Sequence, residues 1–324
     1  MMIDGDYAFA KARHEVDEDL RRLLVDKPLP GNLTVSFARE PNYFLGCTTM
    51  GHRCDVLIAR HLRTGELAGV MCHGVRPVFI NGTATDIGTI GQVRIAAQHR
   101  GKGLLQRGLP LFIERSRPDL PNFGVMAADN PRARRAMVEH PPPGFVVRDV
   151  ARITTLGIIL RRPKPPRRGS LEVGRATEAT LDEIVEFLRR EAGKRQYYPV
   201  YEKDDFLDGR LLRGLALEDV IVIRSGGRIR GTLAVWDQSD YKQSIVRAYG
   251  PALQKLRPWY DRAARLWRAQ PLPRPGEPIR AVYATLVCVE ADDQMVARCL
   301  FREAYNIASE RGFAYLLVGL TDQD

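Results

Sequence analysis

The sequence of 324 residues has no hydrophobic run long enough to form a transmembrane helix. Its longest apolar segments, such as Thr155–Leu160, have the length of a strand, whereas a membrane-spanning helix needs about 20 apolar residues. The N-terminus MMIDGDYAFAKAR lacks the basic start and apolar core of a secretory signal. We therefore expect neither a membrane partner nor secretion.

Cysteine is also scarce, with five residues that are spaced widely along the chain. An odd number without regular spacing does not fit a disulfide framework and predicts a reducing, cytoplasmic compartment. The close pairs His52/Cys54 and Cys72/His73 lack the second pair that a zinc site requires, so no metal is predicted. The five residues are Cys47, Cys54, Cys72, Cys288 and Cys299.

Acidic residues are outnumbered, with 39 Asp and Glu against 49 Lys and Arg, which gives a formal net charge of +10. This balance favours anionic ligands in general. The sequence has neither zinc-finger spacing nor the aromatic motif of an RNA-binding domain, so a nucleic-acid partner is not favoured but stays open. The densest basic run, RRPKPPRR at Arg161–Arg168, is interpreted as a solvated, proline-stiffened linker.

The length corresponds to two domains, and the patterning is that of α/β (α+β) proteins. We predict a first domain at 1–160, a linker at 161–170 and a second domain at 171–324. Hairpin signals at Thr64-Gly65 and Gly226-Gly227 occupy equivalent places, which indicates one plan used twice. The second copy is expected to carry a helical insert at about 238–278 and to lack its last elements.

A glycine-rich turn, Arg100-Gly-Lys-Gly103, joins a predicted strand to a predicted helix in the first half. Such a turn exposes backbone N–H groups at a helix N-terminus, where the helix dipole favours an anion. Gly101 and Gly103 permit positive φ angles, and Arg100 and Lys102 add charge. The turn suits a pyrophosphate, but it matches neither a Walker A loop nor the GxGxxG fingerprint.

The order of elements around this turn resembles the GCN5-related N-acetyltransferase (GNAT) family. The turn itself is similar to the family's pyrophosphate signature, Arg/Gln-x-x-Gly-x-Gly/Ala. Leu105 replaces the last Gly or Ala, as in the enhanced-intracellular-survival branch, which the Arg-Gly-Lys-Gly-Leu-Leu turn resembles. The resemblance implies two tandem GNAT-like domains, each with a mixed, mostly antiparallel twisted sheet flanked by helices. Over 171–324 it depends on element order alone.

The resemblance also implies acetyl-CoA as the acyl donor, with the first domain holding it. The strand end would bind the thioester and the pantetheine arm, the turn would bind the pyrophosphate, and the next helix would begin with an asparagine near the pantetheine. Gly144-Phe145 matches the usual Gly-Phe after that helix. The corresponding residues are Val93, Arg94 and Ile95 in the strand, Arg100, Gly101, Lys102, Gly103, Leu104 and Leu105 in the turn, and Asn130.

The implied reaction is direct attack of a primary amine, on a small molecule or a peptide, on acetyl-CoA in a ternary complex. An ammonium group has a pKa near 10, so a base is needed at neutral pH. Asp86 and His140 are the candidates, with His73 as a further one. Each has a structural alternative: Asp86 as a turn residue, His140 as a helix-end cation and His73 as a strand-face residue.

Two departures keep a second hypothesis open, a non-catalytic acyl-CoA-binding or regulatory protein. Met137 stands where the family often has a tyrosine. Thr89-Ile-Gly-Gln92 stands where some members carry a strand carboxylate, and Asp86 lies about three residues too early. The second half has Glu290-Ala-Asp-Asp293 in place of the glycine turn, and its carboxylates should cap the helix and repel phosphate. We therefore predict that the second domain is non-catalytic. The sequence also allows a homo-oligomer.

Overall fold

The computed structural model describes residues 2–25, 28, 31–116, 119–267 and 269–321. The chain divides into two compact units, and each combines separate stretches of sequence. Unit 1 contains 1–27, 41–77 and 85–151, and unit 2 contains 28–40, 78–84 and 152–324. Within the described ranges, no helix is both long and apolar enough to cross a membrane.

Strands and helices are numbered here in chain order. The strands are β1 Met2–Asp4, β2 Tyr7–Lys11, β3 Leu33–Ala38, β4 Arg53–His61, β5 Leu67–Ile80, β6 Thr83–Ile95, β7 Asn122–Gly124, β8 Ile153–Ile159, β9 Glu172–Arg175, β10 Val220–Ser225, β11 Arg228–Trp236, β12 Gln243–Tyr249, β13 Ala281–Val289 and β14 Tyr315–Thr321. The helices are α1 Asp17–Val25, α2 Leu104–Ser116, α3 Pro131–Arg134, α4 Leu181–Ala192, α5 Lys203–Leu207, α6 Pro251–Trp267 and α7 Gln294–Glu310.

The first sheet has the order β1-β2-β4-β5-β6-β7, in which β6 and β7 are a parallel pair. Because side chains alternate along a strand, β4 serves two cores. Leu57 packs in one core with Phe112 of α2, and Ile58 packs in the other with Leu20 of α1. The predicted hairpin at Thr64-Gly65 is present between β4 and β5.

The second sheet has the order β8-β14-β13-β11-β10-β9, and β13 and β14 are its parallel pair. Read from β9, it repeats the progression of the first sheet: antiparallel strands, then a long strand, then a parallel one. The long strands share a local feature, since Gln92 of β6 and Leu286 of β13 have φ angles of 55° and 53°. Each of these residues lies three positions before the end of its strand. Mixed sheets flanked by helices are what the sequence predicts.

The unit boundaries differ from those expected. The predicted first domain extends to residue 160, but its last strand, β8, belongs to unit 2 and pairs antiparallel with β14. The register joins Ile159 to Tyr315 and Ile153 to Thr321. An alternating apolar pattern fits any open sheet edge, so the sequence does not specify the partner.

The linker and the insert also differ from expectation. The basic segment is not a free spacer, because it packs on α7 of unit 2: the Arg161 amide donates to the Tyr305 hydroxyl at 2.9 Å, and the Lys164 amide donates to Asn306 Oδ1 at 2.8 Å. The insert is only partly helical. It opens with β12, which pairs with β3 as a separate two-stranded sheet, and α6 follows.

Candidate anion-binding site

The end of β6 extends beyond the last residue of its neighbour β7. Pairing between these parallel strands stops at Ile90 and Gly124, and Gln92 then adopts a positive φ. On the opposite side β6 stays attached to β5, since the Ala96 amide donates to the Ala68 carbonyl at 2.9 Å. After Ile90, β6 is therefore next to β5 on one side and has no pairing with β7 on the other. We call this one-sided end of β6 the split. The predicted residues Val93, Arg94 and Ile95 lie at this split and are half-buried.

The turn after β6 has the backbone geometry that an anion site requires. Gly101 and Gly103 have φ angles of 75° and 68°, in the left-handed region that side chains with a Cβ avoid. Among the described residues, the amides of Gly101, Lys102 and Gly103 donate no backbone hydrogen bond. The amides at the start of α2 add to this group. The turn thus offers several N–H donors beside the exposed Arg100 and Lys102.

Next to this turn, the Arg107 guanidinium packs with the rings of Tyr7, His99 and His61. Arg107 Nη2 of α2 donates to the Lys102 carbonyl at 2.8 Å, and the same guanidinium lies 5.4 Å from the centre of the Tyr7 ring. The Tyr7 hydroxyl is 3.1 Å from Nδ1 of the buried His99, which stacks on His61 with centroids 5.4 Å apart. Sequence reasoning missed this support. The available signal was a histidine directly before Arg100.

The departure at Leu105 has a packing explanation. Leu104 is 4% exposed, and Leu105 is half-buried against the same core cluster. A leucine at this position extends the apolar face of α2 instead of lining the turn. The turn itself keeps both glycines, so the substitution does not fill the space around the free amides.

No protein-family model matches the sequence, and no curated protein matches it. The structure, however, is similar to solved structures. A GCN5-related glucosamine N-acetyltransferase region of a fungal multi-domain GH3 beta-N-acetylglucosaminidase superposes with a TM-score of 0.60 at 14% identity, over 98% of this chain and 36% of that chain. Our chain therefore spans about a third of that protein.

Two further solved structures are similar to this chain over almost its whole length. N-myristoyltransferase from Saccharomyces cerevisiae, solved with myristoyl-CoA, gives a TM-score of 0.60 at 10% identity over 98% of this chain and 78% of that chain. A GCN5-related N-acetyltransferase from Sphaerobacter thermophilus gives 0.55 at 13% identity over 99% and 88%. The chain has the GNAT fold.

In this GNAT fold, Asn130 forms the helix cap that the sequence predicts. Its Oδ1 accepts a hydrogen bond from the Ala133 amide at 3.1 Å at the start of α3. A π-helical turn at Arg135–Glu139 follows, and it contains the half-buried Met137. Gly144 has a φ of 82°, and Phe145 packs on the core that contains α2.

The three candidate bases have different surroundings. Asp86 is exposed near the start of β6 and lines a cavity of about 230 Å³ with His52 and Arg53. It lies seven positions before Val93, a distance of about 23 Å along an extended strand. His140 is exposed at the end of the π-helical turn. His73 is buried, and the structure does not bring it to the open end of β6.

In the second sheet, a carboxylate lies at the start of α7, the helix that follows β13. Asp293 caps α7, and its Oδ1 accepts from the amides of Met295 and Val296 at 2.8 and 3.3 Å. Asp292 does not cap the helix but pairs with Arg195. Glu290 pairs with Arg230 at 2.7 Å. Asp293 alone thus satisfies two amide donors at the start of α7 that could otherwise bind an anion.

Three of the widely spaced cysteines converge in unit 1. Cys47 Sγ lies 3.6 Å from Cys72 Sγ, and all five cysteines are free thiols. Hydrogen bonds with Cys54 and Cys72, together with burial, raise the pKa of the Cys47 thiol. In the described part of the chain, no group of three or more His, Cys, Asp or Glu is arranged to hold a metal ion. The raised pKa keeps the Cys47 thiol protonated at neutral pH.

Proposed function

We propose that unit 1 is an acyl-CoA-dependent N-acetyltransferase that uses acetyl-CoA as donor. The observation that carries this proposal is the turn with two left-handed glycines and unused amides, placed directly after the split end of β6. The GNAT fold supports the proposal, because acyl-CoA is named as the bound ligand of one structural neighbour. The acceptor is a primary amine on a small molecule or a peptide.

In this proposal the chain contributes mainly position and electrostatics. The amides of the turn bind the pyrophosphate, with Arg100 and Lys102 as nearby cations. The backbone amides of Val93–Ile95 hold the acyl arm and stabilise negative charge on the carbonyl oxygen. Bound acetyl-CoA supplies an activated thioester, and the acceptor amine is held against it so that attack is effectively unimolecular.

We further propose that the second sheet is a degenerate GNAT-like domain, which makes the chain a tandem arrangement in the cytoplasm. The repeated strand order and the positive φ at Gln92 and Leu286 support it. The helix cap by Asp293 supports a non-catalytic role for this second copy.

A glycine substitution tests the placement of the donor site. Gly103→Val should weaken CoA binding by more than tenfold, because a β-branched residue resists the positive φ and its side chain enters the cradle. Isothermal titration with CoA gives the affinity. Gly65→Val is the matched control, since Gly65 has a φ of 71° in a hairpin turn with open space around it. Equal CoA affinity in the two variants would show that CoA does not bind at this turn.

A thiol-release assay separates an enzyme from a binding protein. Free thiol should accumulate from acetyl-CoA faster when a suitable primary amine is added, and mass spectrometry should find the acetylated amine. A panel that includes aminoglycosides, polyamines and peptides covers small and peptide acceptors. CoA binding without acceleration by any amine would favour the regulatory alternative.

A further inference from the structure

Helix α6 of unit 2 exposes large apolar side chains on one side. Leu256, Trp259 and Leu266 are 60%, 69% and 78% exposed. At 3.6 residues per turn they lie within about 80° of one another around the helix axis, and they extend over about 15 Å along it. We call these three residues the apolar stripe. A contiguous exposed group of large apolar side chains is typical of an interaction surface.

A different side of α6 attaches the helix to the rest of unit 2. Asp261 Oδ1 accepts from the Leu272 amide at 3.0 Å, and Arg257 Nη2 donates to the Leu272 carbonyl at 3.4 Å. The Arg257 guanidinium also lies 5.4 Å from the centre of the Tyr249 ring of β12, and Ala264 is fully buried. These contacts leave the apolar stripe exposed.

The charged residues that border the apolar stripe are cations. Lys255 and Arg262 are exposed, and the Arg262 guanidinium lies 5.5 Å from the centre of the Trp259 ring. Within the described parts of the chain, neither cation forms an ion pair. Asp261 is the one acidic residue in the sequence of α6, and it pairs with Arg257 at 3.5 Å on the attached side. The border of the stripe is therefore positive.

We propose that the apolar stripe binds the surface of a membrane that contains anionic lipids. A helix with tryptophan and leucine on one side and lysine and arginine beside them has the composition of a helix that lies in the lipid interface. The apolar side chains enter the boundary of the acyl chains, and Lys255 and Arg262 attract the anionic headgroups. The expectation of no membrane partner depended on the lack of a spanning segment, which a surface contact does not need.

The charges beside the stripe disfavour a second copy of this chain as the occupant. A two-fold contact through α6 would bring four cations together, two from each copy, without a carboxylate of α6 to offset them. Like charges repel more strongly as water is excluded. A protein partner would also need a groove that matches the projecting side chains, whereas a lipid surface adapts to them. The observations therefore favour an anionic membrane.

Flotation with lipid vesicles tests the proposal on the full chain. At about 100 mM NaCl the chain should bind vesicles of phosphatidylcholine with about 30% phosphatidylglycerol, and bind pure phosphatidylcholine more weakly. Leu256→Gln/Trp259→Gln should lower the affinity by more than about tenfold, because it removes apolar contact and leaves the net charge unchanged. The matched control is Met295→Gln, at a side chain of α7 that is 59% exposed. Equal binding by the two variants, or none by the unaltered chain, would overturn the proposal.

A charge substitution tests the cationic border. Lys255→Gln should lower the affinity for the anionic vesicles about fivefold, the usual contribution of one lysine at such a surface. The matched control is Arg148→Gln, which removes one charge at an exposed residue of unit 1 and should change the affinity less. The same loss in both variants would show that only the net charge of the chain matters, against a border at α6.

Tryptophan fluorescence locates the contact independently of affinity. Trp259→Phe should keep vesicle binding, since phenylalanine is also apolar, but the blue shift of emission that vesicles cause should fall by about half or more. Trp236 should not contribute to the shift, because it is 8% exposed and its Nε1 donates to the Arg213 carbonyl at 2.7 Å. A blue shift that is unchanged in Trp259→Phe would place the contact away from the stripe.

Lipid phosphates also have the chemistry to bind the turn in unit 1, and Gly103→Val separates the two sites. This variant should keep vesicle binding if the stripe carries it. Binding that is lost in Gly103→Val but kept in Leu256→Gln/Trp259→Gln would assign the headgroup to the turn and reject the stripe. Near-UV circular dichroism without lipid checks that each variant is folded.

Two further measurements distinguish the other occupants. Sedimentation velocity without lipid should show no dimer that depends on the stripe; a dimer that dissociates in Leu256→Gln/Trp259→Gln would assign the stripe to a second copy. An acidic amphipathic peptide of repeated Leu-Glu-Glu sequence serves as the probe for a protein partner. Stripe-dependent binding of this peptide without binding of anionic vesicles would assign the stripe to an acidic protein and contradict the membrane.

Discussion

His73 shows at the residue scale how a buried polar group is accommodated. Its Nε2 lies 2.7 Å from Asn122 Oδ1, and Asn122 Nδ2 donates to the Leu120 carbonyl at 2.9 Å. Because the amide nitrogen is already a donor to Leu120, Oδ1 accepts from a protonated Nε2. The ring therefore donates through Nε2 and ties β5 to β7. This geometry fits the strand-face alternative rather than a base.

The unfolding free energy should depend on this ring. Burial, partly opposed by the Asn122 hydrogen bond, lowers the pKa of His73 below its ordinary value of 6.5. The unfolded state then binds more protons below about pH 6.5, so the stability falls as pH drops through that region. His73→Gln can keep a donor to Asn122 but cannot titrate. Urea unfolding at pH 5 to 7.5 should show a smaller loss for the variant; an unchanged slope would assign the effect elsewhere.

Substitutions of His140 and Asp86 test which of the two residues is the general base of the proposed reaction. We expect His140→Gln to lower kcat at neutral pH by roughly 100-fold if its ring takes the proton, the usual scale for a general base. Asp86→Asn should change kcat little, because the carboxylate is about 23 Å along β6 from Val93. Steady-state kinetics with the best acceptor measure both. A larger loss in Asp86→Asn would reverse the assignment.

At the scale of elements, local signals were sufficient for much of the fold. The hairpin glycines, the spacing of Leu20, Leu23 and Leu24 in α1, and the Asn130-Pro131 cap each lie within one turn or helix. The glycine turn of the site was predictable for the same reason. The pairing of β3 with β12 was not, because about 200 residues separate the two strands and neither carries a signal for its partner.

The position of β8 gives a prediction for one element. Leu156→Pro with Gly157→Pro should destabilise unit 2 by about 3 kcal/mol or more, because one of two adjacent amides must face β14. The matched control is a double proline at the exposed Val146 and its neighbour Val147, which lie outside the strands. Chemical denaturation followed by hydrogen exchange at 315–321 measures the effect. Unchanged protection of β14 would refute the pairing.

At the scale of the whole molecule, the net charge affects the binding of anionic ligands. A net charge of +10 should attract CoA, which carries several phosphates, so the CoA affinity should fall as ionic strength rises. Titrations from 50 to 500 mM NaCl measure this fall. The unrelated hypothesis of nucleic-acid binding makes a different prediction: a duplex DNA should bind with a steep salt slope. Weak, shallow binding of DNA beside salt-sensitive CoA binding would favour the acyltransferase.

The cap at Asp293 has a consequence for the dynamics of the two sheets. The first amides of α7 already donate to the Asp293 side chain. Because these donors are used within the chain, added ligand should not stabilise the start of this helix. Within the described parts of the chain, no carbonyl accepts a backbone hydrogen bond from the amides of Gly101–Gly103. CoA should therefore slow amide exchange at residues 100–106 and leave 293–297 unchanged. The start of α7 is capped by a side chain of the chain itself. In the proposed site of unit 1, the amides of the turn gain acceptors only when a ligand binds.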